Sequence, residues 1–196
     1  FPKLTKLDLS NKQLAGDMAA GISSLSLLTK VDISNNRLTG DPTQSLTGLF
    51  NVDDLALGGN LFTIPDVNGL LQNFNNIKTL NLSDLGLINI PAKITAFTNL
   101  ETLILDNNPI PANAFGNIAN HPKLTNLSLS GLQLTQIPTQ VSQLTQLTSL
   151  NLSNNALTEQ TTSGLSNLTN LVWLSFENNQ LAQIPSQIPQ LKKLQT

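Results

Sequence analysis

The 196-residue chain has no cysteine and no tyrosine, and only one tryptophan, one histidine and one methionine. Without cysteine there is no disulfide and no thiolate metal site. Charge is scarce too: 11% of residues are Asp, Glu, Lys or Arg, against roughly a quarter in an average soluble domain. The net charge of −2 leaves no basic footprint, so a nucleic-acid or anionic-membrane partner has no electrostatic support. No apolar run approaches the roughly 18 residues that cross a bilayer, and Phe1-Pro2-Lys3-Leu4 lacks the zones of a signal peptide. What the chain does have is 39 Leu and 25 Asn. A hydrophobic content of 39% suffices for a core and excludes wholesale disorder, but solubility must rest on neutral amides and hydroxyls.

The leucines recur in phase. The phrase L-x-x-L-x-L-x-x-N-x-L, with conservative swaps, begins at Leu4, Leu28, Val52, Ile77, Leu100, Leu124, Leu147 and Leu171, at spacings of 24, 24, 25, 23, 24, 23 and 24 residues. A ninth copy begins at Leu194. The clearest copies run from Leu28 to Leu38 and from Leu147 to Leu157. This array resembles the leucine-rich repeat family over essentially the whole chain, with repeat lengths like those of the typical and bacterial classes. Leu38-Thr39-Gly40-Asp41-Pro42 is similar to the plant-type repeat, so the subclass stays open.

The physics of one copy follows from alternation. In Thr5-Lys6-Leu7-Asp8-Leu9 a period of two sends Leu7 and Leu9 to one face and Lys6 and Asp8 to the other. One repeat cannot bury its leucines alone; stacking merges them into a continuous interior, each fully buried Leu contributing roughly 1.5–3 kcal/mol. The expected fold is an α/β leucine-rich-repeat solenoid over residues 1–196. It is a curved right-handed arc with a parallel sheet on the concave face and 3-10, short-helical or irregular segments on the convex side.

Position nine of the phrase is Asn36, Asn60, Asn108, Asn155 and Asn179 in five copies. It falls where the chain leaves the strand, and its amide can pair with turn backbone that has no ladder partner. Lys12, Leu85 and Leu132 replace it in the other copies, where turns of different shape are expected. Ile90-Pro91, Ile137-Pro138 and Ile184-Pro185 are spaced two repeats apart, with each proline restricting its segment to extended or helix-start geometry. Phe1 occupies the slot three before the motif leucine that Leu25, Leu49, Phe74, Phe97, Leu144, Leu168 and Leu191 fill elsewhere. The chain starts and stops inside a repeat without caps, as expected of a segment of a longer protein.

Chemistry finds few candidates. His121 falls in that same apolar slot and is expected to be a packed structural residue; no Gly-x-Ser-x-Gly elbow accompanies it, so no triad is expected. Asp53 and Asp54 are adjacent but point apart on a strand. Asp106-Asn107-Asn108 lacks the following acid and glycine of a calcium loop, and Gly58-Gly59 is a turn, not a phosphate loop. No catalytic residue, metal site or cofactor is expected. Four glycosylation sequons begin at Asn81, Asn126, Asn151 and Asn167; glycans on the first three would coat the concave sheet, which favours a bacterial or intracellular origin.

Outward strand positions three, five and seven define the candidate binding face. They are Lys6, Asp8, Ser10; Lys30, Asp32, Ser34; Asp54, Ala56, Gly58; and Thr79, Asn81, Ser83. The later copies supply Thr102, Ile104, Asp106; Asn126, Ser128, Ser130; Ser149, Asn151, Ser153; and Trp173, Ser175, Glu177. Eight strands at about 4.8 Å spacing extend roughly 34 Å, enough for a domain or a long peptide. Charge gathers in the first three copies, whereas residues 107–158 contain only Lys123. Trp173 either anchors a partner, as interface tryptophans often do, or covers a further repeat or cap.

The reading that needs nothing the chain lacks is a monomeric, non-catalytic module that binds a protein or peptide through its concave face. Two alternatives stand beside it. One is the targeting segment of a larger secreted bacterial effector enzyme; the other is a cell-surface adhesion or carbohydrate-binding protein, which the scarcity of exposed aromatics disfavours.

Overall fold

The computed structural model describes residues 3–18 and 20–195, so Phe1 lies outside it. Ten three-residue strands occur among these residues: β1 Lys6–Asp8, β2 Ala15–Asp17, β3 Lys30–Asp32, β4 Arg37–Thr39, β5 Asp54–Ala56, β6 Thr79–Asn81, β7 Thr102–Ile104, β8 Asn126–Ser128, β9 Ser149–Asn151 and β10 Trp173–Ser175. Eight of them form one sheet in the order β1-β3-β5-β6-β7-β8-β9-β10. Every pair is parallel and in phase, so that Lys6 faces Lys30, Thr79 faces Thr102 and Trp173 faces Ser149. Position three of each repeat thus meets position three of the next, as the sequence phase predicts.

Beneath the sheet the motif leucines make the core. Leu28, Val31, Leu55, Leu80, Leu103, Leu150 and Leu171 are fully excluded from solvent, and Phe74, Phe97 and Phe115 are the largest side chains among the fully buried residues. The return segments opposite the sheet are mostly single 3-10 turns, such as Ala92–Ala96 after Pro91 and Val141–Gln143 after Pro138. Copy three, the 25-residue copy, instead holds α1, Val67–Leu71, capped by the Asp66 carboxylate accepting from the Asn68 N–H at 3.0 Å. These turns need more room per repeat than the strand spacing, so the stack bends with the sheet on its concave side.

Three residues past the end of each strand, at position eight, the chain turns through left-handed backbone. Asn11, Asn35, Gly59, Asp84, Asn107, Gly131, Asn154 and Asn178 all adopt left-handed backbone, with φ between 54° and 70°. Only Asn, Asp and Gly visit that region readily, and only those types occupy the position. At Gly131 a side chain would also collide with the Asn107 amide oxygen. The sequence reading passed over this constraint, although the restricted residue choice was its signal.

The position-nine asparagines tie each repeat to the one before. Asn108 Oδ1 accepts from the Leu85 and Leu87 N–H groups, while its Nδ2 donates to the carbonyls of Leu82, Leu105 and Asp106. Asn36 does the same with Lys12, Leu14, Leu9, Ile33 and Ser34. Repeats without this asparagine turn differently, as expected: in each a second left-handed residue follows at position ten, namely Gln13, Gly86 and Gln133.

Two features of the return side were not foreseen. β2 and β4 pair into a second, two-stranded parallel sheet, with positive-φ glycines inside β2, at Gly16, and just after β4, at Gly40. It coincides with the plant-like Leu38–Pro42 stretch. Neutral amides also link neighbouring turns at the strand entrances: Asn51 donates to the Ser26 carbonyl, Gln146 to that of His121 and Asn170 to that of Thr145. These side chains do what charged groups do elsewhere on a surface and hold adjacent repeats together as well.

His121 is packed as expected, with 2% of its surface exposed and its Nε2 3.2 Å from the Asn117 carbonyl. Burial pushes its imidazole below the usual range, and the backbone carbonyls of Asn117 and Phe97 only partly oppose this. An unfolded histidine takes up a proton near pH 6.5 and the folded one does so at lower pH. Stability is therefore fully present above about pH 6.5 and declines as the pH falls below it. Urea unfolding at pH 7 and pH 5 should show this decline, and His121→Leu, matching Leu144 and Leu168, should reduce it; an unchanged pH slope in the variant would remove His121 as a source.

Candidate functional site

The concave sheet divides into two chemically distinct halves. At the N-terminal end the Lys30 ammonium lies 2.8 Å from the Asp54 carboxylate, and Asp54 holds the Lys30 pKa above its ordinary value. Lys78 and Asp53 pair at 2.8 Å alongside, with the same effect on Lys78. Lys6 and Asp8 are exposed, whereas Asp32 is half-buried. These partly exposed pairs stabilise the fold little; their larger effect is on the field a partner meets. Asp53 and Asp54, adjacent in sequence, thus serve two different lysines. Among the described residues no group of three or more His, Cys, Asp or Glu comes together, and no helix is long and apolar enough to cross a membrane.

The C-terminal half carries the face's one shallow depression among the described cavities. It has a volume of about 240 Å³ and spans four strands, lined by Thr102, Ile104, Asn126, Ser128, Ser149, Asn151 and Trp173, with Leu103 and Leu127 beneath. Trp173 is 45% exposed and Ile104 half-buried, so the two apolar side chains lie at opposite ends of a floor of small amides and hydroxyls. That floor is ordered: Asn126 Nδ2 donates to Thr102 Oγ1 at 3.2 Å and Asn151 Nδ2 to Ser128 Oγ at 3.0 Å. Small residues in the middle of each strand leave the volume open. Of the expected binding residues, Thr102, Ile104, Asn126, Ser128, Ser149, Asn151 and Trp173 come together here. Lys6, Asp8, Lys30, Asp32 and Asp54 lie apart in the charged half, Thr79 and Asn81 lie between the two, and Ser175 and Glu177 continue the last strand.

Position seven departs from the expectation. Ser34, Gly58, Ser83, Ser130 and Ser153 are buried, because the strand ends at position five and the chain turns. The position-five side chain captures the turn: Asp8, Asp32 and Asn81 each accept from both the N–H and the hydroxyl of the serine two residues on. Of the other position-seven residues Ser10 and Asp106 are half-buried and Glu177 is exposed. Asp106 Oδ1 accepts the Ser130 N–H at 2.9 Å. Burial pushes the Asp106 carboxyl above the ordinary range, the Ser128 hydroxyl and Ser130 N–H oppose this, and the charge of Asp84 adds to it.

Cavities away from the concave sheet were not anticipated. One, of about 480 Å³, lies on the return side of repeats three to five, among Ile64, Val67, Ile88, Pro91 and Asn117. Another, about 390 Å³, lies against Phe176, Leu181, Ile184 and Ile188. Neither touches the concave sheet.

Comparison with known proteins agrees with this architecture. Two family models described as leucine rich repeat match residues 122–195 and 27–49. Among solved structures, internalin C2 from Listeria monocytogenes superposes with a TM-score of 0.78 at 26% identity, over 97% of this chain and 78% of that one. The Arabidopsis receptor kinase HAESA, in complex with the peptide hormone IDA and a co-receptor, gives 0.76 at 32% identity, over 98% of this chain and 33% of that one. The plant peptide hormone receptor RGFR1, in complex with RGF2, gives 0.69 at 25% identity, over 97% of this chain and 31% of that one. The chain thus spans only about a third of either receptor. No curated protein matches it. In-phase repeats, a parallel sheet with 3-10 returns, a ladder of asparagines and these likenesses agree: the chain belongs to the leucine-rich repeat family.

Proposed function

We propose that this chain is a non-catalytic recognition module that holds a protein or peptide segment against the concave face of its sheet. The observation that carries the proposal is the depression between Ile104 and Trp173, an apolar-ended hollow on an otherwise small and polar surface. Exposed tryptophan is enriched where binding energy concentrates. The peptide-hormone complexes of the two plant receptors support the same kind of partner, and the internalin supports the same scaffold.

A randomised twelve-residue peptide library selected on the purified chain tests this reading, with the recovered peptides measured by calorimetry. Trp173→Ala should weaken a selected peptide by about 30-fold, the roughly 2 kcal/mol of an interface anchor. Ser149→Arg, which fills the hollow, should weaken it at least tenfold, while Lys93→Ala on the return side should leave it unchanged. Equal affinity for wild type, Trp173→Ala and Ser149→Arg would sink the concave-face assignment.

A further inference from the structure

The concave face has a one-sided charge distribution where the depression lies. From repeat four to repeat eight, the outward strand positions and the turn residue that follows them carry Asp84, Asp106 and Glu177, and no Lys or Arg. The five lysines of this half lie off these positions: Lys78 pairs with Asp53, Lys93 donates to the Asn75 side chain on the return side, Lys123 to that of Asn99 at the strand entrance and Lys193 to that of Asn170, and Lys192 lies in the turn after the last 3-10 segment. Net charge alone does not produce this arrangement, because the N-terminal half mixes both signs.

Asp106 stands directly beside the depression. It lies two residues beyond Ile104, in the turn that follows β7, and its carboxylate meets the hydroxyl of Ser128, which itself lines the hollow. Asp84 approaches from the preceding repeat, its N–H bonded to the Asp106 carbonyl at 2.9 Å, and the two carboxylates repel each other. No basic side chain is paired with Asp106 or Asp84 in any ion pair found among the described residues. A half-buried carboxylate with a like-charged neighbour gains most from an incoming cation.

Building on the concave-face reading above, we infer that the partner is an extended segment with two features. It places a bulky apolar side chain between Ile104 and Trp173, and a lysine or arginine within two residues of it against Asp106 and Asp84. The apolar hollow gives the anchor and the acidic pair gives the register. An arginine fits the pair better than a lysine, since its planar fork can bridge two carboxylates. Acidic segments are excluded by the same charges.

The indole N–H of Trp173 supplies a single reporter, because the chain has one tryptophan. Three acetylated, amidated pentapeptides serve as probes in an NMR titration of the full chain: Ala-Phe-Ala-Arg-Ala, Ala-Phe-Ala-Glu-Ala and Ala-Ala-Ala-Arg-Ala. The Phe/Arg peptide is expected to shift the Trp173 indole resonance and the Ser128 and Ser130 amides. The other two peptides should bind at least tenfold more weakly. Asp106→Asn retains an oxygen for the Ser130 N–H, so the turn is kept; with only Asp84 left of the pair it should reduce the preference for Arg over Glu severalfold and leave the Phe contact. If the Phe/Arg and Phe/Glu peptides move Trp173 with equal affinity, or if Asp106→Asn leaves the preference intact, the inference fails while concave-face recognition stands. If none of the three moves Trp173 or its neighbours, both fail.

Discussion

Asn108→Leu should cost roughly 3–5 kcal/mol, and adding Pro109→Gly should return part of that loss. Asn108 is 1% exposed and holds five backbone groups of two repeats: the N–H of Leu85 and Leu87 and the carbonyls of Leu82, Leu105 and Asp106. Leucine at 108 satisfies none of them, and each buried group left alone costs about 1–3 kcal/mol. The fold nonetheless contains two turns with leucine in this slot, at Leu85 and Leu132, and in both the next residue is left-handed, Gly86 with φ 65° and Gln133 with φ 59°. Repeat five cannot copy them, because its next residue is Pro109, whose ring fixes φ near −65°. Glycine there removes the block. In the wild-type background Pro109→Gly alone should destabilise by about 1 kcal/mol through unfolded-chain entropy, so the same substitution changes sign with its neighbour. Urea unfolding of the four proteins measures this; a double variant less stable than Asn108→Leu would contradict the two-turn account.

The second large effect is expected at Phe97. Its ring is wholly buried in the slot three before the motif leucine of repeat five, in series with Phe74 and His121 in the same slot of the repeats on either side. Truncation to alanine leaves a cavity in the middle of the stack, at a cost of about 3–5 kcal/mol. Position along the array decides how the loss is felt, since each repeat is supported only by its neighbours. Leu4 has the same inward character but is half-buried at the first strand, so Leu4→Ala should cost less than half as much. Differential scanning calorimetry should also find the Phe97→Ala transition broadened, as the two halves lose their common support. A loss below about 1 kcal/mol would mean that the neighbouring aromatic residues collapse into the space.

Much of this fold was legible because a repeat converts weak local signals into a phase. The strands, their parallel register, the inward leucines, the asparagine slot and the packed histidine follow from counting residues. Position eight is legible too: Asn, Asp and Gly together at one site mark a left-handed turn, a signal that lies directly beside the stronger one of the asparagine slot. The second sheet of β2 and β4 was not legible, since three-residue strands such as Ala15–Asp17 carry no alternation to detect. Position seven was misjudged for a definite reason. Alternation assumes that the strand continues, whereas the side chains of Asp8, Asp32 and Asn81 pull the chain into a turn two residues on. Ile104 and Trp173 could each be singled out from sequence, but the hollow between them depends on the small side chains of two intervening repeats and on the curvature of the sheet. Those are properties of the assembled stack.

The asparagine rungs are unevenly placed, and this has a mechanical consequence. Rungs join repeats one to two, two to three, four to five, six to seven and seven to eight, while the junctions three–four and five–six have leucine in the slot. These two junctions lack the buried amide and bracket the pair of repeats four and five, the second of which carries Ile104 and Asp106. At the second of them the repeats are joined instead by the β7–β8 ladder, the Ser130 N–H bond to the Asp106 carboxylate and the Asn126 amide bond to Thr102, so the side chains that shape the concave face there also carry the load between repeats.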